Sequence, residues 1–267
     1  MSNVAYLPDE RRTAILAMLA RGEAVSAAKL AARFSVSEDA IRRDLRKLAG
    51  EGLCEKVYGG ALPLDPAAQP FSVRAGEGRD RKDALARSAL SLLKPRDCVF
   101  LDVSSTNVAL AEMLPTDLEL TIVTNSIPVA MTLMGRPGLK LFMLGGPVNS
   151  QVGGTIGAGT VAELQNYHFD MAFLGTCALC RKAGVSAFDS EDAEVKRAAT
   201  RGSSRVAVLV AEEKLGTHQP HKVVPFERID VLIFEDSTGD QTLRDYKTDA
   251  NEVFLAGGEN IRTAGPS

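Results

Sequence analysis

The stretch SEDAIRRDLRKL, residues 37–48, decides how the chain is to be read. Wound into a helix, it puts Ile41, Leu45 and Leu48 on one face and spreads Arg42, Arg43, Arg46 and Lys47 over the other. Ser37 is a good N-cap, and Glu38 and Asp39 occupy the first turn, where the helix dipole favours negative charge. Alone, such a helix also fits a solvated surface of any protein. The flanking sequence narrows the choice. RRTAILAMLAR (11–21) aligns Ile15, Leu16 and Leu19, and Gly22 ends that helix. AVSAAKLAARF (24–34) predicts a second short helix with Leu30 and Phe34 inward, and SVS turns the chain into the helix at Ser37. Three helices with a tight turn before the third make a helix-turn-helix, whose last helix lies in the major groove of double-stranded DNA.

After it, GLCEKVYGGA (52–61) predicts a short hairpin, a wing that adds phosphate or minor-groove contacts without reading sequence. The residues expected at DNA are Ser37, Glu38, Asp39, Arg42, Arg43, Arg46 and Lys47 on the third helix, with Lys56 and Tyr58 on the wing. Arg42 and Arg43 can each fork to a guanine edge or a phosphate. Asp44 borders the core face and is expected to pair with a neighbouring arginine.

The charge of the whole chain, -3 over 267 residues, does not exclude this. Residues 1–60 carry +2 and residues 61–267 carry -5, and contact is made by a face and not by an average. With 45% hydrophobic and 24% charged residues the chain suits two soluble domains. No run approaches the roughly 18 apolar residues of a membrane span, and MSNVAYLPDERR lacks the pattern of a signal peptide, so a cytoplasmic address and no membrane partner are expected. Cys54, Cys98, Cys177 and Cys180 are too few for a disulfide scaffold and are expected to be free thiols.

The first domain is expected over residues 8–63 and a linker, rich in Pro, Ala and Gly, over 64–78. Residues 79–255 are expected to form the second domain. RDRKDALARSALSLL (79–93) predicts a helix with Leu85, Ala89, Leu92 and Leu93 inward. CVFLDV (98–103), LTIVT (120–124), KLFML (140–144), MAFLG (171–175), RVAVLV (205–210) and VLIFE (231–235) then predict strands buried on both faces. That pattern implies an α/β domain with a mainly parallel sheet. Ligands of such sheets sit at the carboxyl ends of the strands. LDVSSTN (101–107) and TNSIP (124–128) each run from a strand through a hydroxyl-rich loop into a helix, which suits an anion, and Ser104, Ser105, Thr106 and Asn107 are its expected ligands. GGTIGAG (153–159) is neither a Walker loop nor a dinucleotide fingerprint, and no cofactor is expected.

Residues 11–61 resemble the DeoR-type winged helix-turn-helix in IRRDL (41–45) and the closing GGA (59–61), with Ala40 where that family has Thr and Lys56 where Arg is common. The rest resembles the DeoR-type sensor domain, which is similar in fold to ribose-5-phosphate isomerases and CoA transferases. The family pattern is met by Asp102 with Ser105 and Thr106, by Thr124 and Asn125, by Gly145 and Gly146, by Asp170 ahead of Gly175, and by SEDAEVKR (190–197) with Glu191. Gly157 and Lys214 complete the effector set that the resemblance implies, with Ser104 replacing a family Gly and AEEK (211–214) replacing DxSK, so that Glu213 brings a negative charge close to the anion. The resemblance implies a repressor of a carbohydrate-catabolism operon, released by a phosphorylated sugar or related small anion.

CALC (177–180) and HQPH (218–221) could together suit zinc, although neither sits in a finger or ribbon, and metal is not expected. A second reading is a sugar-phosphate isomerase or transferase carrying a DNA-binding appendage, which would recruit Glu191 and Lys214. Against it, neither paired carboxylates nor a Ser/His/Asp set is evident, and no catalytic residues are expected. Because such modules read repeated half-sites, a homodimer or homotetramer assembled through the second domain is expected.

Overall fold

The computed structural model describes residues 7–20, 23–63, 69–248 and 251–257. Gly22, part of the expected linker (64–68) and the tail beyond residue 257 lie outside the described residues. The chain divides into two units, Met1–Pro70 and Phe71–Ser267.

In the first unit, α1 (Pro8–Ala20), α2 (Ala27–Phe34) and α3 (Glu38–Gly50) pack through Ile15, Leu19, Leu30, Phe34, Ile41, Leu45 and Leu48, all buried. The expected second helix begins later than its sequence suggests, because Val25–Ser26 form strand β1. Strands β2 (Glu55–Val57) and β3 (Gly60–Leu62) make the wing, and β3 pairs with both β1 and β2. Gly60 allows this closure, since a Cβ there would stand 2.0 Å from the Val25 carbonyl oxygen.

The second unit opens with α4 (Phe71–Gly76) and α5 (Arg79–Leu90). The expected linker therefore ran too far, and its residues 71–76 are helical. There follow β4 (Cys98–Leu101), α6 (Ser105–Met113), β5 (Thr121–Thr124), α7 (Ile127–Leu133), β6 (Lys140–Met143), the small hairpin β7 (Val148–Asn149) and β8 (Gly154–Thr155), and α8 (Ala158–Leu164). The chain then runs through β9 (Phe169–Gly175), β10 (Ala178–Cys180), β11 (Gly184–Ala187), α9 (Ser190–Arg201), β12 (Ser203–Val210), β13 (His221–Val224), β14 (Val231–Phe234), α10 (Asp240–Tyr246) and β15 (Glu252–Leu255).

One seven-stranded sheet runs β15-β14-β12-β9-β4-β5-β6. Every neighbouring pair in it is parallel. A three-stranded sheet, β10-β11-β13, stands beside it. All six predicted strands are present, but β6 is an edge strand with Phe142 and Met143 exposed, not a strand buried on both faces. Leu85, Ala89, Leu110 and Leu133 from α5, α6 and α7 cover one face of the sheet, and Leu164, Val195 and Ala199 from α8 and α9 help cover the other. From β4 the chain winds outward through β5 and β6, then returns to the far side of β4 at β9 and winds the other way. The strand order thus reverses between β4 and β9, and a doubly wound sheet opens its crevice at the carboxyl ends of those two strands.

Candidate functional site

The first candidate site is the outer face of α3. The Ser37 hydroxyl caps the helix by accepting from the Ala40 N–H at 3.2 Å. Ser37, Glu38, Asp39, Arg42, Arg43, Arg46 and Lys47 are all exposed, as are Lys56 and Tyr58 on the wing, with Tyr58 at its tip. The cations rest on their own helix. Arg42 pairs with Glu38 at 2.8 Å and Asp39 at 3.6 Å, Arg43 donates to the Asp39 carbonyl, Arg46 donates to the Arg42 carbonyl, and Lys47 lies 4.0 Å from Glu51. Exposed pairs of this kind stabilise by less than about 1 kcal/mol, so a phosphate or a base edge can redirect the side chains.

Asp44 differs. Its carboxylate is buried and accepts from Arg11 Nε of α1 at 2.6 Å. The arginine it pairs with comes from another helix, and the pair fixes α3 against α1. Arg11 is not legible in sequence as this partner, because the two residues are 33 apart.

The second candidate site is the crevice where the sheet reverses. Ser104 is the N-cap of α6 and its hydroxyl accepts from the Thr106 and Asn107 N–H groups. Ser105 and Thr106 are half-exposed beside it. The Thr124 hydroxyl, fully buried, donates to the Leu101 carbonyl at 2.6 Å and accepts from the Ser126 N–H. Asn125 is also fully buried and donates to the Thr155 carbonyl at 2.9 Å, while its Oδ1 has no protein partner among the described residues. Asn107 Oδ1 is in the same position. Two amide oxygens buried without donors at one sheet edge are acceptors for hydroxyls or water.

Asp102 is not disposed as a ligand. It is fully buried, and it accepts from the Gly175 N–H at 3.0 Å and from Asn107 Nδ2 at 2.7 Å while pairing with Lys196 at 3.2 Å. Lys196, on α9, also donates to Asp192 at 2.6 Å. Burial, the largest single influence, works against its charge, but Asp102 and then Asp192 outweigh it and hold the ammonium above the ordinary lysine range. Asp102 therefore stitches α6, β9 and α9 together under the crevice. Lys196 was missed because it reads as one more solvated cation in SEDAEVKR. The available signal was its spacing of four from Asp192 on the face that also carries Ala193 and Val195.

Asp170 is at the wrong end of the sheet. It stands at the start of β9, exposed, and accepts from the Cys98 N–H at the start of β4. A residue at the amino edge cannot reach a ligand at the carboxyl edge.

The glycine-rich loop follows β6. Gly145 donates to the Glu163 carboxylate at 2.9 Å, Gly146 lies against Thr160, and a Cβ at Gly157 would be 3.6 Å from Glu191 Oε1. Glu191 is exposed in the first turn of α9. Lys214 is buried in the turn after β12. Glu213 next to it pairs with Arg81 at 3.1 Å, and Arg81 also holds the buried Glu235, so Glu213 is offset by α5. Among the described residues, no group of three or more His, Cys, Asp or Glu is placed to hold a metal ion. No helix among them is long and apolar enough to cross a membrane.

Residues 11–66 match the model of the DeoR-like helix-turn-helix domain, and residues 77–236 match that of the DeoR C terminal sensor domain. The chain is 31% identical over 252 residues to a candidate aga operon transcriptional repressor of Escherichia coli O157:H7, covering 93% of this chain and 94% of that one. It is 31% identical over 208 residues to the glycerol-3-phosphate regulon repressor of Escherichia coli K12, covering 78% and 82%. It is 30% identical over 227 residues to the HTH-type transcriptional repressor GlcR of Bacillus subtilis, covering 84% and 87%. Among solved structures, ribose 5-phosphate isomerase A of Methanocaldococcus jannaschii matches 51% of this chain and 54% of its own, with a TM-score of 0.37 and 18% identity.

Proposed function

The chain belongs to the DeoR family, and from that premise we propose that it is a transcriptional repressor of a carbohydrate-catabolism operon. A phosphorylated sugar or related small anion modulates its operator binding. The observation that carries the reading is the pairing, in one chain, of an exposed cationic helix face set by a capped α3 with a crevice at a sheet reversal where Ser105 and Thr106 stand half-exposed at a helix start capped by the buried Ser104. Arg42 and Arg43 read or clamp the groove, Arg46, Lys47, Lys56 and Tyr58 contact the backbone, and Ser37, Glu38 and Asp39 lie at the end nearest the bases. In the second unit, Ser104 to Asn107, Asn125, the glycine-rich loop with Gly145, Gly146 and Gly157, Glu191 and Lys214 surround the effector, with Thr124 behind them. The protein acts in the cytoplasm, as a homodimer or homotetramer on repeated half-sites, and not as an enzyme.

A mobility-shift titration on the DNA upstream of the protein's own gene, with a panel of sugar phosphates and their free sugars, tests the reading. A specific complex released by a phosphate ester and not by its free sugar is expected. No preference over unrelated DNA at physiological salt would overturn it, and turnover of a sugar phosphate that vanishes in Lys214→Ala would favour an enzyme instead.

A further inference from the structure

The short helix that opens the second unit packs near α6 and is fastened by hydrogen bonds to the loop between β7 and β8. In α4 no residue is fully buried, and its six residues cannot hold a helix by themselves. Three contacts tie it to the loop between β7 and β8. The Phe71 N–H donates to the Gln151 carbonyl at 2.9 Å, and Arg74 Nη2 donates to the Val152 carbonyl at 3.4 Å. The Phe71 side chain packs so close to Gly153 that a Cβ there would stand 2.6 Å from it, at a φ of +93° that L side chains rarely adopt. Lys82 of α5 closes the other end by donating to the Arg74 and Glu77 carbonyls.

That loop is in turn laced to the crevice. Val152 and Ile156 form a small core with Val103, the residue before Ser104. The Thr155 N–H donates to the Asn125 carbonyl at 2.8 Å while Asn125 Nδ2 donates back to the Thr155 carbonyl, and the Ile127 N–H donates to the Gly153 carbonyl. A ligand that engages Ser105, Thr106 or the free Oδ1 of Asn125 thus bears on the same short loop that holds α4. The docked end of α4, at Phe71, follows directly on residues 63–70, the chain that leads from β3 of the DNA-binding unit.

We propose that α4 is a ligand-sensitive clasp: its docking through Phe71 and Arg74 onto residues 151–153 is the two-state element by which the effector crevice controls operator binding. The inference rests on the effector reading above. A helix of six residues with no buried side chain is at the weakly held end of the unit, where a small difference in ligand affinity shifts an equilibrium. Linkage requires that whatever factor the effector imposes on DNA affinity, DNA imposes on effector affinity, and an unfastened clasp abolishes both.

The test uses the full chain and three variants, Phe71→Ala, Arg74→Ala and Arg74→Lys. Each is titrated with ribose 5-phosphate, glycerol 3-phosphate and inorganic phosphate by calorimetry, and with the upstream DNA by anisotropy, with and without the probe that binds best. Wild type is expected to lose about tenfold in DNA affinity on saturation with that probe. Phe71→Ala and Arg74→Ala are expected to bind the probe within about threefold of wild type and to bind DNA, yet to change DNA affinity less than about twofold when saturated. Arg74→Lys, which keeps a donor for the Val152 carbonyl, is expected to recover part of the response. If both disabling variants respond as wild type does, or if they lose probe binding itself, the clasp is overturned while the effector reading stands. If wild type binds none of the probes, that reading fails and the clasp falls with it.

Discussion

The two units use charge in opposite ways. On α3 the cations are exposed and paired within a turn or two of their own helix, so each is held loosely. Under the sheet reversal Lys196, Asp102 and Asp192 are all buried, and Asp102 lies 94 residues from its lysine in sequence. The first arrangement leaves charge free to be spent on a partner, and the second commits it to architecture. Arg11–Asp44 carries the second mode into the first unit, as a buried pair between α1 and α3.

The comparison breaks hardest at Lys196. Lys196→Met fills similar space but leaves Asp102 and Asp192 buried without their cation, and it is expected to cost about 3–5 kcal/mol, read by urea unfolding of the second unit. The sign with pH follows from the raised pKa of this lysine. Its contribution is fully present below the unfolded lysine pKa of about 10.4 and is lost only as pH rises through the higher folded value. The stability gap between wild type and variant should therefore not close as pH rises from about 7 to 9; toward acid it should shrink, because burial already raises the Asp102 carboxyl and loss of Lys196 removes the charge that most opposes this. A gap that closes as pH rises through that window would mean that the ammonium is not the charged centre of the cluster. Asp44→Ala is expected to cost a similar 3–5 kcal/mol in the first unit, and to remove DNA binding by unfolding it.

Arg42→Ala with Arg43→Ala sharpens the other side. Each loss is expected to cost about 1–3 kcal/mol in operator affinity while stability changes by less than about 0.5 kcal/mol. Effector binding should be unaltered. A double variant that melts early would make α3 a structural helix and its cations part of the fold.

What the sequence made legible follows the same division. Ile41, Leu45 and Leu48 announce the buried face of α3 through helical period alone, and Ser37 announces its start, because both signals are local. The six strands are legible for the same reason, as apolar runs between breakers. Val25–Ser26 is not legible as a strand, since its partners Gly60 and Ala61 are distant in the chain and two residues have no period. Strand β15 was missed too, although Val253 and Phe254 are buried, because it is short and follows a polar stretch. Asp102 was misassigned because a carboxylate before a hydroxyl loop looks like a ligand until Lys196 and the Gly175 N–H are brought to it. Asp170 was misassigned because a residue's position along a strand, and not its identity, decides which edge of the sheet it occupies.

The smallest expected effect separates positioning from reading within the exposed charges. Lys56, exposed on β2, is the wing cation proposed to contact the DNA backbone. Lys56→Ala should weaken binding to the operator and to unrelated DNA alike, and should reduce the slope of log affinity against log salt by about 0.9, the release of one counterion. Arg42→Ala, in contrast, should lower the preference for the operator over unrelated DNA. Competition titrations at three salt concentrations measure both quantities on the same samples. If Lys56→Ala changes the preference and leaves the slope alone, the wing reads sequence, and the division between a helix that specifies and a wing that holds is wrong.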